Sequence, residues 1–274
     1  MNINTNILFE RIRAKILQVI PKNISLLINT KQLDLDSDID LFIILDNPPK
    51  NDPYNIKSYI KVVEAIKTVE KEIWEETEFH IIDFSTIRIE EYHCKKAVFI
   101  NEEKKFNLHL LIYPTVDHFL TWENPSVILS ICKYHNLLYG DKDTLQNLIK
   151  RIKINSFEER IQPLISLLFE TYRNIIYYVE VPKELDGILM SEGINKLKYI
   201  LKFLIWEILI EKSETIPPPA INSIIQLAKI NKIDETLIKL LEKTIIIKKQ
   251  KVSISDLKLL YEECMFKVNK IVNI

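Results

Sequence analysis

Glycine is the residue that most narrows what this chain can be. There are three in 274 residues, Gly140, Gly187 and Gly193, so none precedes position 140. The Walker loop, the Rossmann dinucleotide fingerprint and the kinase glycine loop each need several glycines beside a phosphate. All three are excluded, and any nucleotide chemistry has to hold its phosphates in another way. Familiar metal and disulfide frameworks are also missing. Cys94, Cys132 and Cys264 are too widely spaced for a disulfide scaffold or a CxxC knuckle. His80, His93, His109, His118 and His135 form no HExxH pair, and His93-Cys94 lacks companions at zinc-ligand spacing.

Charge narrows the partners. With 37 basic against 38 acidic side chains, the net charge of -1 argues against a general nucleic-acid coat, which needs a clear basic excess. A local basic groove stays open. Residues 1–6 show no charged segment leading into an apolar run, so no secretory signal is expected. The most apolar stretch, Leu197 to Ile210, is interrupted by Lys198, Lys202 and Glu207 and reads as a buried helix rather than a bilayer span. The expectation is a soluble, cytoplasmic protein with no membrane partner.

Periodicity divides the chain near residue 150. Before it, Thr5 can cap a helix carrying Ile7, Leu8, Ile12, Ile16 and Val19, closed by Pro21. Ser25 to Ile28, Ile39 to Leu45, Phe79 to Phe84, Ala97 to Ile100 and Phe106 to Tyr113 read as strands. Ile60, Val63, Ile66, Val69 and Ile73 mark an amphipathic helix over Lys57 to Glu76. Ser126 starts another helix, which Gly140 can end with a left-handed cap. Beyond residue 150 the pattern is helical. Ser156 with Glu159 makes a capping box for a helix reaching about Val181, a second helix runs from about Ser191 to Lys212, Asp234 caps a third, and Ser253 with Asp256 opens a fourth. Thr244 to Ile247 fits strand or helix. The fold class is α+β: a mixed-sheet domain over 1–150, then an all-α helical bundle domain over 151–274.

The chemistry concentrates at Asp38 and Asp40. Residues two apart on a strand project from one face, so the two carboxylates stand side by side where the Ile39 strand begins. Close like charges are costly unless a cation sits between them. Magnesium takes oxygen ligands, keeps some waters and bridges carboxylates to phosphates. Two such ions suit phosphoryl or nucleotidyl transfer. The competing reading makes Asp34, Asp36, Asp38 and Asp40 polar members of a solvated turn and strand edge.

Ser37-Asp38-Ile39-Asp40-Leu41, set between an apolar strand and a helix followed by another strand, resembles the metal-binding strand of the DNA polymerase β-like nucleotidyltransferase superfamily. The minimal and aminoglycoside-type nucleotidyltransferases are the members it looks most like. The likeness covers roughly residues 20 to 113, more loosely the helical half, and includes Leu137-Leu138-Tyr139-Gly140. It implies two magnesium ions on Asp38 and Asp40, with Asn29, Thr30 and Ser37 at the triphosphate. Asn29-Thr30 stands where the family has Gly-Ser, and the interval to Asp38 is shorter than usual. The family's third carboxylate has two alignments. Asp83 is preferred, as third ligand or base, because it can take a proton. The rival puts Asn107 of Phe106-Asn107-Leu108-His109-Leu110 at that position, with His109 on the same face.

The implied reaction moves a nucleoside monophosphate from a nucleoside triphosphate, ATP first, to an acceptor hydroxyl and releases pyrophosphate. The acceptor is a small molecule or a protein, expected in the cleft between the two domains. A catalytically degenerate, antitoxin-like partner-binding module is the alternative, and transfer to an RNA end is disfavoured by the balanced charge. A homodimer is compatible with either. Lys31 and Lys133 are minor candidates for the triphosphate. Lys243, Lys248, Lys249 and Lys251 read as a solvated basic run, and the aromatic residues of Tyr172 to Tyr178 and Phe203-Trp206 as packing.

Overall fold

The structure, a computed structural model, describes residues 14, 17–18, 24–30, 39–45, 48–76, 79–83, 93–100, 103–122, 124–177, 183–213, 215–247 and 253–272. The chain divides into two compact units, Met1–Lys153 and Ile154–Ile274. In the first, strands β1 (Ile24–Thr30) and β2 (Ile39–Leu45) precede helix α1 (Ile56–Glu76). Strands β3 (Phe79–Asp83), β4 (His93–Ile100) and β5 (Glu103–Tyr113) follow, then helices α2 (Val116–Trp122) and α3 (Pro125–Tyr134), strand β6 (His135–Tyr139) and helix α4 (Lys142–Arg151). The helix expected from Thr5 lies largely outside the described residues.

The strands form one mixed six-stranded sheet in the order β3-β4-β5-β2-β1-β6. β2 pairs parallel with β5 and antiparallel with β1. The alternation of β2 explains its central place. Leu41, Ile43 and Leu45 alternate with Phe42 and Ile44, and all five are buried, as befits a strand covered on both faces. Phe42 and Ile44 join Leu26 and Ile28 of β1, Tyr113, Phe119, Ile128 and Leu145 in one core cluster. Tyr113 meets Phe119 edge-on at 4.9 Å between ring centroids and stacks with Phe42 at 6.3 Å.

One expected element differs. The helix begun near Ser126 stops at Tyr134, and residues 135–139 form β6 against β1, with Thr30 opposite His135 and Asn29 opposite Asn136. Five residues carry too little periodicity to separate strand from helix, and pairing with a buried neighbour decides the outcome. Gly140 therefore ends a strand rather than a helix, at φ +102°.

The connection from β2 to α1 is tied down by two buried polar side chains. Asp52 accepts from the Ile56 N–H at 3.0 Å and the Lys57 N–H at 2.9 Å, occupying two donors that the first helical turn leaves unpaired. Asn55 holds φ at 55° and donates from Nδ2 to the Pro114 carbonyl, 2.9 Å away, which fastens the start of α1 to the chain just beyond β5. Asp52→Ala is expected to cost about 1–2 kcal/mol, seen as an earlier denaturation midpoint. An unchanged midpoint would show that the cap is dispensable.

The second unit comprises α5 (Phe157–Tyr177), α6 (Lys183–Ser213), α7 (Ile221–Ile230), α8 (Glu235–Ile247) and α9 (Ile254–Val272). The Ser156–Glu159 capping box forms in both directions, Ser156 N to Glu159 Oε2 at 3.1 Å and Glu159 N to Ser156 Oγ at 3.3 Å. Ser253 and Asp256 reciprocate at the start of α9 in the same way, at 3.3 and 3.1 Å. Thr244 to Ile247 is helical, Thr244 Oγ1 donating to the Leu241 carbonyl at 2.7 Å. Two differences from the sequence pattern stand out: α6 begins at Lys183 rather than near Ser191, and α7 was not anticipated because its cap, Ala220, makes no side-chain hydrogen bond. Trp206 is fully buried, donates to the Pro217 carbonyl at 3.0 Å and meets Phe203 edge-on, so these rings pack the helical core. Among the described residues no helix is long and apolar enough to cross a membrane.

Candidate active site

The sheet register assembles the site. Asp40 on β2 lies level with His109 on β5, and His109 with Lys95 on β4. β1 runs antiparallel to β2 with Ile28 opposite Phe42 and Asn29 opposite Leu41, so one step further Thr30 stands level with Asp40. Across the sheet this makes a row His135, Thr30, Asp40, His109, Lys95. Asp40 shares its side of β2 with Phe42 and Ile44 of the core cluster.

Asp40 and His109 meet through their side chains. His109 Nδ1 lies 2.9 Å from Asp40 Oδ1, with 23% of the histidine and 32% of the aspartate side chain exposed. An ionised carboxylate only accepts, so Nδ1 carries the shared proton in this pairing. The contact joins residues 69 positions apart, and only the parallel β2–β5 pairing brings them together.

The other expected site residues fall as follows. Asn29 and Thr30 occupy the last two positions of β1, beside the start of β2. Ser37, Asp38 and Lys31 lie outside the described residues, as do Lys248, Lys249 and Lys251. Asp83 closes β3, opposite Lys96 of β4, which is opposite Leu108 of β5, which is opposite Ile39 of β2. With strands about 4.8 Å apart, three spacings hold the Asp83 backbone about 14 Å from that of Ile39. The sheet does not bring Asp83 to Asp40, because β4 and β5 come between. Asn107 is next but one to His109 on β5, the strand that does adjoin β2. Lys133 is exposed in the last turn of α3, its Nζ 5.1 Å from the centroid of the Tyr134 ring.

A central strand with Asp40 in its second position, flanked on one side by the end of β1 and on the other by a parallel partner strand, can be set beside known proteins. Residues 29–98 match the family model of the nucleotidyltransferase domain. That stretch of the first unit is similar to a nucleotidyltransferase domain. The match begins at Asn29, at the end of β1, and takes in β2, α1, β3 and most of β4. Among solved structures, a nucleotidyltransferase-like protein from Exiguobacterium sibiricum 255-15 aligns with 98% of this chain and 73% of its own, at 11% identity and a TM-score of 0.34. No curated protein matches the chain significantly.

The described residues of the first unit offer a divalent cation few donors. Asp40 offers a partly exposed carboxylate at the start of a central strand, the hard oxygen donor that magnesium prefers. Among the described residues no three His, Cys, Asp or Glu side chains gather as a metal site.

Proposed function

We propose that the nucleotidyltransferase domain transfers a nucleoside monophosphate from a nucleoside triphosphate, ATP first, to an acceptor hydroxyl of a small molecule or a protein. The observation that carries this reading is the position of Asp40 at the start of β2, level with Thr30 at the end of β1, inside the segment that matches the family. Asp38 and Asp40 would hold magnesium, which when bound neutralises phosphate charge and activates the attacking oxygen. Asn29, Thr30 and Ser37 would orient the triphosphate. The acceptor oxygen forms a bond to the α-phosphorus, the bond to the bridging oxygen breaks, and pyrophosphate leaves while the hydroxyl proton passes to a base. Asp83, three strands from Ile39, is left out of this group, and β5 supplies the neighbouring positions Asn107 and His109.

One feature favours a second reading, a silent partner-binding module: a histidine and an asparagine, rather than an acid, stand on β5 beside the strand of Asp40. Calorimetric titration of ATP and GTP with magnesium decides between the two. Wild type should bind in a magnesium-dependent way, and an Asp38→Asn/Asp40→Asn variant that melts like wild type should not. Equal binding by both proteins would remove the proposed metal site, and no binding by wild type with any divalent ion would leave the silent module.

A further inference from the structure

The helical unit leaves an apolar face open to solvent, and we infer that a second copy of this chain covers it, in an isologous dimer built on α5 and α9. Phe169 and Ile176 of α5 are 54% and 41% exposed, and Leu259 and Phe266 of α9 are 61% and 73% exposed. Within each pair the residues stand two helical turns apart, so each pair lies along one face of its helix. The residue at the same place inside each pair ties the two helices together. Tyr172, three after Phe169, donates its hydroxyl to Oε1 of Glu262, three after Leu259, at 2.6 Å. The helices run antiparallel. A carbon added at Gly193 would meet both Leu257 and Ile175, so α9 passes from the level of Ile175 to that of Tyr172 between Leu257 and Glu262. Phe266 therefore lies toward Phe169 and Leu259 toward Ile176, and the four side chains form one patch around the Tyr172–Glu262 bridge.

A single exposed apolar side chain is ordinary, but four on one two-helix face are not. With about 150–250 Å² on each large side chain, they expose about 400 Å² together, the size of patch that marks an interaction site. A standard interface takes about 800 Å² from each partner, so the patch supplies about half before its polar rim is counted. The rim points to the chain itself as occupant. Arg173 follows Tyr172 on α5 and Glu263 follows Glu262 on α9; both are exposed, and they stand at one level on opposite flanks of the patch. A two-fold axis parallel to the helices lays α5 on α9 of the second copy. It sets Phe169 against the second copy's Phe266, Ile176 against its Leu259 and Arg173 against its Glu263, each twice by symmetry. Ring meets ring, aliphatic meets aliphatic, and opposite charges meet at the rim, which is the complementarity a self-associating surface needs.

Sedimentation equilibrium of the full chain tests the assignment. Wild type should be dimeric at tens of micromolar. Phe266→Ser removes only an exposed ring, so it should keep the wild-type melting midpoint and weaken association at least about tenfold. Arg173→Glu and Glu263→Arg should each weaken association too, since each homodimer then carries two like-charge contacts. An equal mixture of these two variants should dimerise like wild type, because both contacts in the mixed dimer are again between opposite charges. A dimer that Phe266→Ser leaves intact, or charge variants that fail to recover on mixing, overturns the proposal. So does a monomeric wild type, and a lowered melting midpoint of Phe266→Ser in that monomer would show that the patch is covered within the chain.

Discussion

Replacing Arg160 with methionine is expected to cost the helical unit about 3–5 kcal/mol, because it strands a carboxylate in the core. Arg160 and Glu207 are 4% and 2% exposed at the side chain, and Nε donates to Glu207 Oε2 at 2.7 Å. Each of the other two guanidinium nitrogens is also engaged: Nη1 donates to the Asn155 carbonyl at 2.7 Å and Nη2 to Glu211 Oε2 at 2.9 Å. With the arginine gone, Glu207 keeps its burial and loses its counter-charge. Glu211, 56% exposed, can turn to water, so Glu211→Gln should cost under about 1 kcal/mol. The double change Arg160→Met/Glu207→Leu should recover most of the loss, since a well-packed apolar pair often matches a buried ion pair. Urea titrations of the set, followed by circular dichroism, test this. A cost below about 1 kcal/mol for Arg160→Met would show that Glu207 finds another way to be satisfied.

The second large effect is expected at Gly140. Its φ of +102° is one that side chains rarely adopt, and a Cβ there would sit 2.5 Å from the Ser25 carbonyl oxygen and 2.6 Å from Leu26 Cδ2. The carbonyl belongs to β1 and cannot yield without moving the strand. Strain and overpacking together set the cost of Gly140→Ala at about 2–4 kcal/mol. Because β6 pairs with β1 from Leu27 to Thr30, hydrogen exchange should quicken along that stretch of β1, from its Leu27 side first, as well as across β6. Gly193→Ala is the informative control. There the added carbon meets Leu257 Cδ2 at 2.7 Å, the end of a flexible side chain, and the helix gains about 1 kcal/mol of propensity. A loss at Gly193 as large as that at Gly140 would mean that the fixed carbonyl and the positive φ are not what matters.

How much of this was legible beforehand depends on whether the information is local. Capping at Ser156 and Ser253 is written in residues three apart, and the structure makes both boxes. The Ile39 to Leu45 strand announced itself by an apolar run that needs cover on both faces. The partner of Asp40 did not. Asp83 was preferred for its chemistry as a base, but which strand lies beside β2 is a matter of sheet order, and the order β3-β4-β5-β2 separates residues that look adjacent in the chain. The clue that pointed elsewhere was present in Asn107-Leu108-His109, two polar residues on one face of an apolar strand. β6 and α7 were missed for a related reason: one is set by a pairing partner, the other starts without a side-chain cap.

The parallel pairing of β2 with β5 has a consequence for how the first unit comes into being. Both edges of β2 need partners, and one is supplied only when the chain has been made as far as residue 113. Until then β1 and β2 can form a hairpin, but Ile39 to Ile44 present an unsatisfied apolar edge, the kind that recruits other chains. A fragment ending at residue 98, where the family match stops, would keep that edge for good. Asp40 would have no strand beside it on that side, and the segment by which the domain is recognised would be unable to fold as the domain.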